Sequence, residues 1–185
     1  MPKTIFSRRR VLDVGLAAAA AAALPLSGQA ADGRMMRPQF GDGLVAMGDG
    51  AHTPLRPVDL RRGAPPILTW PMDITTGTTR DGAIFNQVLL LRLPGDRDEA
   101  HGGRLVGFSA VCTHAGCIVS SWRAATRRLL CPCHGSEYDP ALGGAVVAGP
   151  APLPLPRLPL GMANGLIVVT GPFSATLGGH TGRTD

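Results

Sequence analysis

Hydrophobic positions in this chain come in short runs divided by turn-forming residues. A run at 44–47 is followed by others at 66–70, 87–93, 104–111, 117–122, 128–130, 145–148 and 166–170. They are rich in Val, Leu and Ile and bounded by Gly, Pro or Asp, and no stretch sustains the 3.6-residue period of an amphipathic helix. Short apolar runs between turn formers predict strands. The pattern therefore predicts an all-β sandwich or barrel-like domain over 61–173. Residues 32–60 show little periodicity and read as an extended lead-in with at most a short strand at 44–47. Residues 96–103 read as an exposed charged loop and 174–185 as a loose tail. No internal repeat is visible.

Composition narrows this picture. The chain has 185 residues, 44% of them hydrophobic and 17% charged, with 25 Gly and 17 Pro. That length suits one domain with appendages. The many turn formers and few long polar helix formers argue against a helical bundle or coiled coil. Net charge is +5, but Lys3, Arg8, Arg9 and Arg10 face only Asp13 within the first thirty residues. The body carries no basic stripe, so nucleic acid is not an expected partner. The Gly-x-Gly triplets at 41–43 and 48–50 sit in no strand–loop–helix unit and do not signal a nucleotide.

The N-terminus reads as an address. Ser7-Arg8-Arg9-Arg10-Val11-Leu12 precedes an apolar run at 14–26 and the small residues Ala30 and Ala31. A basic region, an apolar region and small residues before a polar one make an export signal. Paired arginines in this setting resemble the twin-arginine signal, which exports folded proteins. An apolar run of this size reaches about 20 Å as a helix, against a bilayer core of about 30 Å. Residues 1–31 are thus read as a twin-arginine signal or loose anchor, and the expected location is the periplasm or the periplasmic face of the inner membrane.

The chemistry is concentrated in two boxes, Cys112-Thr113-His114-Ala115-Gly116-Cys117 and Cys131-Pro132-Cys133-His134-Gly135-Ser136, which hold all four cysteines. Four readings suit this composition. Thiolate and imidazole both suit tetrahedral zinc, and a zinc-binding interaction module is the reading from another class. Two structural disulfides would suit an exported chain. A Cys-x-Cys clip or redox dithiol is a third. The fourth is a 2Fe–2S cluster held by two cysteines and two histidines. Cys112-x-His114 and Cys131-x-x-His134 offer one thiolate and one imidazole from each box, and this spacing suits the fourth reading best. His52, His101 and His180 lie in loop or tail sequence and read as plain surface residues.

The two boxes, Cys-Thr-His-x-Gly-Cys and Cys-Pro-Cys-His-Gly-Ser, resemble those of the Rieske iron–sulfur proteins over roughly residues 60–173. The resemblance implies an antiparallel β-sandwich with a small cluster-binding subdomain, its loops within 107–152, and one 2Fe–2S cluster per chain. It implies that Cys112 and Cys131 bind one iron, that His114 and His134 bind the other, and that Cys117 pairs with Cys133. Gly149-Pro150-Ala151-Pro152 is similar to the family's proline loop, and Gly135, Ser136, Tyr138 and Pro150 are expected around the cluster. Two ferric irons, two sulfides and two thiolates balance to zero charge, whereas four thiolates would leave minus two. Imidazole ligation therefore raises the potential, and Rieske centres span about −150 to +300 mV. By resemblance, Ser136 donates to a bridging sulfide and Tyr138 to the Cys112 sulfur, as in high-potential members; such bonds favour the more negative reduced state.

The function this implies is one-electron transfer by a subunit of a periplasm-facing oxidoreductase rather than by an enzyme acting alone. Two complexes fit: a cytochrome bc complex with cytochrome b, quinol and a c-type cytochrome, or an arsenite-oxidase-type enzyme with a large molybdopterin subunit. Family members of the bc type usually place Leu after the first ligand histidine, at the partner-docking tip. Here that residue is Ala115.

Overall fold

The computed structural model describes Met1, residues 33–95 and residues 104–178. Its strands are β1 (Gly43–Ala46), β2 (Ile67–Met72), β3 (Val88–Arg92), β4 (Leu105–Ser109), β5 (Ser121–Arg123) and β6 (Arg128–Leu130). They continue as β7 (Glu137–Asp139), β8 (Ala145–Ala148), β9 (Arg157–Leu158), β10 (Leu160–Ala163) and β11 (Leu166–Val169). In the order β10, β11, β1, β2, β3, β4, β9 they form a seven-stranded sheet, and β5 to β8 form a separate four-stranded sheet in chain order. All ladders between these strands are antiparallel. The all-β expectation holds.

Strand β3 shows how the sequence places the core. Val88, Leu89, Leu90 and Leu91 are all buried, and successive side chains leave a strand on opposite faces. Leu89 and Leu91 enter one core with Phe108, Leu129, Tyr138 and Leu155. Val88 and Leu90 enter a second with Leu44, Leu158, Ile167 and Val169. An unbroken apolar run is what a strand covered on both faces requires. Each such Leu contributes about 1.5–3 kcal/mol through burial, and Leu89→Ala would cost about 2–5 kcal/mol with its cavity. The first core also contains Cys112 and Cys131. The packing that holds the small sheet to the large one is thus the floor beneath the two cysteines.

The small sheet is an excursion from the large one. The chain leaves after β4 and returns at β9 beside it, where the Ser109 N–H donates to the Pro156 carbonyl at 2.8 Å. The expected runs at 128–130 and 145–148 are strands as read. The run at 117–122 is not one strand: Ile118 bridges back to Val111, and β5 begins only at Ser121. Strands β7, β9 and β10 lie outside the expected set. For β10 the missed signal was Asn164-Gly165, whose positive φ values of 51° and 77° build the hairpin turn into the expected β11. The expected loop at 96–103, His101, His180 and the segment 2–31 lie outside the described residues. Ser174, where a loose tail was expected to begin, both donates to and accepts from the Arg157 backbone.

The lead-in is fastened down. The Arg80 guanidinium donates to both carboxylate oxygens of Asp42, at 2.5 and 2.8 Å, and to the Gly33 carbonyl at 3.1 Å. Asn86 donates to the Met36 carbonyl at 2.7 Å, and the Arg37 guanidinium stacks 5.2 Å from the Phe85 ring centre. Both side chains of the Asp42–Arg80 pair are buried, and such a pair is tolerated only when its hydrogen bonds are filled. Among the described residues, no helix is long and apolar enough to cross a membrane.

Candidate metal centre

Two tight loops carry the donor atoms, and both close in the same way. Residues 112–117 are flanked by the bridge between Val111 and Ile118, and residues 131–136 by the β6–β7 pair Leu130 and Glu137. In the first, Cys112 N–H donates to the Cys117 carbonyl at 2.8 Å and Gly116 N–H to the Cys112 carbonyl at 3.0 Å. In the second, Cys131 N–H donates to the Ser136 carbonyl at 2.9 Å and Gly135 N–H to the Cys131 carbonyl at 3.0 Å. Gly116 and Gly135 turn the chain at φ 78° and 74°, a conformation side chains other than glycine rarely adopt.

The loops bring their donors together in two pairs, sulfur with sulfur and imidazole with imidazole. Cys112 and Cys131 are free thiols, each about 1% exposed. The His114 and His134 rings meet edge to face, their Nδ1 atoms 3.1 Å apart. His114 is half-buried, while His134 and Ala115 are exposed. Cys117 and Cys133 form a disulfide between the loops, with Cα atoms 6.6 Å apart. The sulfurs of Cys117, Cys131 and Cys133 also lie within 4.8 Å of one another, but two of the three are spent in that bridge and cannot ligate. The sulfurs left for a metal are those of Cys112 and Cys131.

Backbone N–H groups of His114 and Ala115 point at the Cys112 sulfur, and those of Cys133 and His134 at the Cys131 sulfur. Cys112 receives one donor more, the Tyr138 hydroxyl at 3.1 Å. That oxygen accepts from the Thr113 N–H at 3.2 Å and lies 3.3 Å from the Thr113 hydroxyl, so its hydrogen is directed toward the Cys112 sulfur and the Thr113 oxygen. Burial pushes the Cys112 thiol up, but Tyr138 and the N–H groups outweigh it, so Cys112 lies below the ordinary thiol value. For Cys131 burial wins and the thiol is raised. Tyr138, buried and then bonded to Cys112, is held well above the ordinary phenol value.

The loop after β8 closes the third side. Gly149 has φ 84°, and a Cβ there would lie 2.5 Å from the Ser136 Cα, so only glycine lets the two backbones approach. Ala151 N–H donates to the buried Ser136 hydroxyl at 3.2 Å. Thr113, for which the sequence suggested no role, donates its hydroxyl to the Leu153 carbonyl at 2.6 Å. The loop is thereby tied to both cysteine loops, with Pro150 exposed between Gly149 and Ala151. His52 stands apart and hydrogen-bonds Thr79 at 2.7 Å.

The family model described as "Rieske [2Fe-2S] domain" matches residues 72–159, which include both loops and the loop after β8. Residues 72–159 form a Rieske domain. Over 104 residues, 50% of this chain, it is 36% identical to the cytochrome bc1 complex Rieske iron-sulfur subunit of Corynebacterium diphtheriae, of which this covers 26%. It is 44% identical over 70 residues to the cytochrome b6-f complex iron-sulfur subunit of Chlorobaculum tepidum, covering 38% of this chain and 37% of that one. It is 46% identical over 72 residues to the putative respiratory nitrate reductase subunit Rieske of Haloferax mediterranei, covering 38% and 32%. The matches thus span about a quarter to two fifths of these relatives' lengths.

A Rieske domain implies a 2Fe–2S cluster, and the donor set here fits one. The two loops offer two unbridged buried sulfurs, Cys112 and Cys131, and two imidazoles whose Nδ1 atoms lie 3.1 Å apart, the mixed donor set such a cluster takes.

Proposed function

We propose that the chain is the one-electron carrier of an oxidoreductase complex, with Cys112 and Cys131 holding one iron and His114 and His134 the other. The observation that carries this reading is the 3.1 Å approach of the two Nδ1 atoms across loops that each also carry one buried, unbridged sulfur. When bound, the cluster takes up and returns a single electron at a potential raised by imidazole ligation. The protein's own part is arrangement. N–H groups from each loop support the sulfurs, the Tyr138 hydroxyl favours the more negative state through Cys112, and Ser136 is placed to do the same with its free hydrogen. These donors and the Cys117–Cys133 bridge support a high-potential centre. The two imidazoles form the tip through which a partner is reached.

The proposed site of action is the outer face of the membrane, reached through the twin-arginine segment, which delivers folded passengers. The relatives from bc1 and b6-f complexes support a bc-type assembly with cytochrome b, quinol and a c-type cytochrome. A second reading, a Rieske subunit beside a large molybdopterin subunit, is favoured by Ala115 at the tip and by the fastened lead-in, which holds residues 33–42 against the domain. The relative described as a nitrate reductase subunit supports the same reading. Holoprotein should contain two irons and give the low-average g values of mixed His/Cys ligation by EPR. Stoichiometric zinc, or an all-cysteine signal, would overturn the proposal. Affinity purification from the native membrane separates the complexes by whether cytochrome b or a molybdopterin subunit comes with the chain.

A further inference from the structure

Arg61, Arg62, Arg92, Arg104 and Arg127 are scattered along the sequence, and the fold gathers them at one end of the domain. Strand β3 runs from Val88 to Arg92, and β4 returns beside it from Leu105 to Ser109. Arg92 and Arg104 therefore lie at one end of the pair, and Ser109, which leads into Cys112, lies at the other. The small sheet is laid out alike: β6 leads into Cys131, and the β5–β6 turn at 124–127 lies at the far end. Gly63 joins the two halves of this end. Its N–H donates to the Arg92 carbonyl at 2.8 Å, and a Cβ there would meet the Arg127 Nε at 3.9 Å. Arg61, Arg62 and Arg127 are exposed, and Arg92 and Arg104 are half-buried.

Among the described residues, no carboxylate pairs with Arg61, Arg92, Arg104 or Arg127. The acids on the adjoining elements are spent elsewhere, Asp59 on Arg56 and Glu137 on Arg123 and Arg128. By sequence, the segment joining β3 to β4 adds Asp96, Asp98 and Glu99 against Arg97, and the end stays positive with these counted. Arg104 also shares a cleft of about 300 Å³ between the two sheets with Arg157, over Val106, Phe108 and Pro140. Phe108 is the register partner of Arg157, so both side chains leave the same sheet face, and Arg104 joins them by alternation along β4. No carboxylate lines that cleft.

We propose that this arginine end docks an acidic face of a partner protein, with a carboxylate side chain of the partner seated between Arg104 and Arg157. The inference rests on the reading of the chain as a subunit of a complex. A concentrated positive field steers and orients an acidic surface, and the rigid donor fork of arginine suits carboxylates at interfaces. The molecule is thereby divided: the arginine end is held, and the imidazole tip at the opposite end stays open to the electron partner. A lipid surface does not fit this end. Asn86, just before β3, holds the Met36 carbonyl, so residues 33–36 are fastened at the cluster end. The arginine end thus faces away from a membrane reached through the preceding segment.

The test uses the single lysine of the chain, Lys3. An arginine-to-lysine change places a reactive amine at a chosen point and keeps the charge. Arg61→Lys, Arg127→Lys and a control at the other end, Arg37→Lys, are made in the full chain and purified with the native complex. Carbodiimide, which joins an amine directly to a carboxylate, is applied, and fragmentation mass spectrometry locates the links. Positions 61 and 127 should link to Asp or Glu of another subunit, position 37 should not, and added salt should cut the yield several-fold. Arg61→Glu combined with Arg127→Glu should release the complex in a wash that retains Arg37→Glu, with iron content and EPR signal unchanged. An iron-replete chain in its complex that gives no link to another subunit from 61 or 127, or links equally from 37, would overturn the proposal. So would links to a second copy of this chain, or binding to phosphatidylglycerol vesicles that the double reversal abolishes. Iron content and EPR of the unaltered chain report separately on the electron-carrier reading, so the two failures are distinct.

Discussion

The two cysteine loops share one backbone plan and differ in what surrounds them. Each has the same pair of closing hydrogen bonds, a left-handed glycine at the fifth position, and two N–H groups aimed at its first sulfur. Their surroundings separate them. Cys112 receives the Tyr138 hydroxyl, and Thr113 ties the first loop to the Leu153 carbonyl. Among the described residues no hydroxyl reaches the Cys131 sulfur, and the second loop instead packs Ser136 under Gly149 and Ala151. Binding geometry is thus common to both loops, while tuning is added from outside and unequally. Each half of that contrast can be tested.

The largest effect belongs to what the loops share. Cys112→Ser and Cys131→Ser should each abolish iron binding, because one buried sulfur alone does not complete the donor set. Metal analysis showing full iron in either variant would place the ligands elsewhere.

Next comes the bridge that couples the loops. Cys117 and Cys133 are 16 positions apart, and closing a loop of that length contributes about 3 kcal/mol on the chain-entropy account. Calorimetry on Cys117→Ser should therefore show a lower melting midpoint, with faster loss of iron on standing. An unchanged melt would mean that the bridge contributes nothing to the folded state.

The difference between the loops has a smaller signature. A charge-assisted hydrogen bond contributes about 1.5–3 kcal/mol, and only its change between redox states moves the potential. For one electron, about 59 mV corresponds to a tenfold change, or about 1.4 kcal/mol. Tyr138→Phe should thus lower the midpoint by several tens of millivolts with both irons retained. Ser136→Ala should act in the same direction through the other loop, and the pair should fall further. Film voltammetry at fixed pH decides this; two wild-type potentials would reduce both residues to packing.

The smallest effect tests the shared plan again. Gly116 and Gly135 have nearly equal φ, and an added Cβ would meet nothing within 4 Å at either. Gly116→Ala and Gly135→Ala should therefore cost about 1 kcal/mol each, from backbone strain alone. Urea titrations that give very different costs would show that the loops are less alike than their hydrogen bonds indicate.

Much of this was legible in the chain. The run of Val88 to Leu91 announces a strand buried on both faces, and hydrophobic runs at 128–130 and 145–148 appear as β6 and β8. What was missed is mostly short or polar. Glu137–Asp139 is three residues beside the second loop, and only pairing with β6 and β8 makes it a strand. The two cysteine boxes stand out because their residue types are scarce and crowded, and such a signal survives without coordinates.

By itself, then, the sequence determined the donor types, the turns at Gly116 and Gly135, and the strand-forming pattern, since each depends on a side chain's own chemistry and its near neighbours. Tertiary structure decided which sulfurs are bridged and which stay free, which thiol receives the Tyr138 hydroxyl, and that residues 33–42 are fastened by the Asp42–Arg80 pair. Those outcomes join residues 16, 26 and 38 positions apart. Such contacts depend on how two sheets pack across a common core, and no local pattern encodes a distance across it.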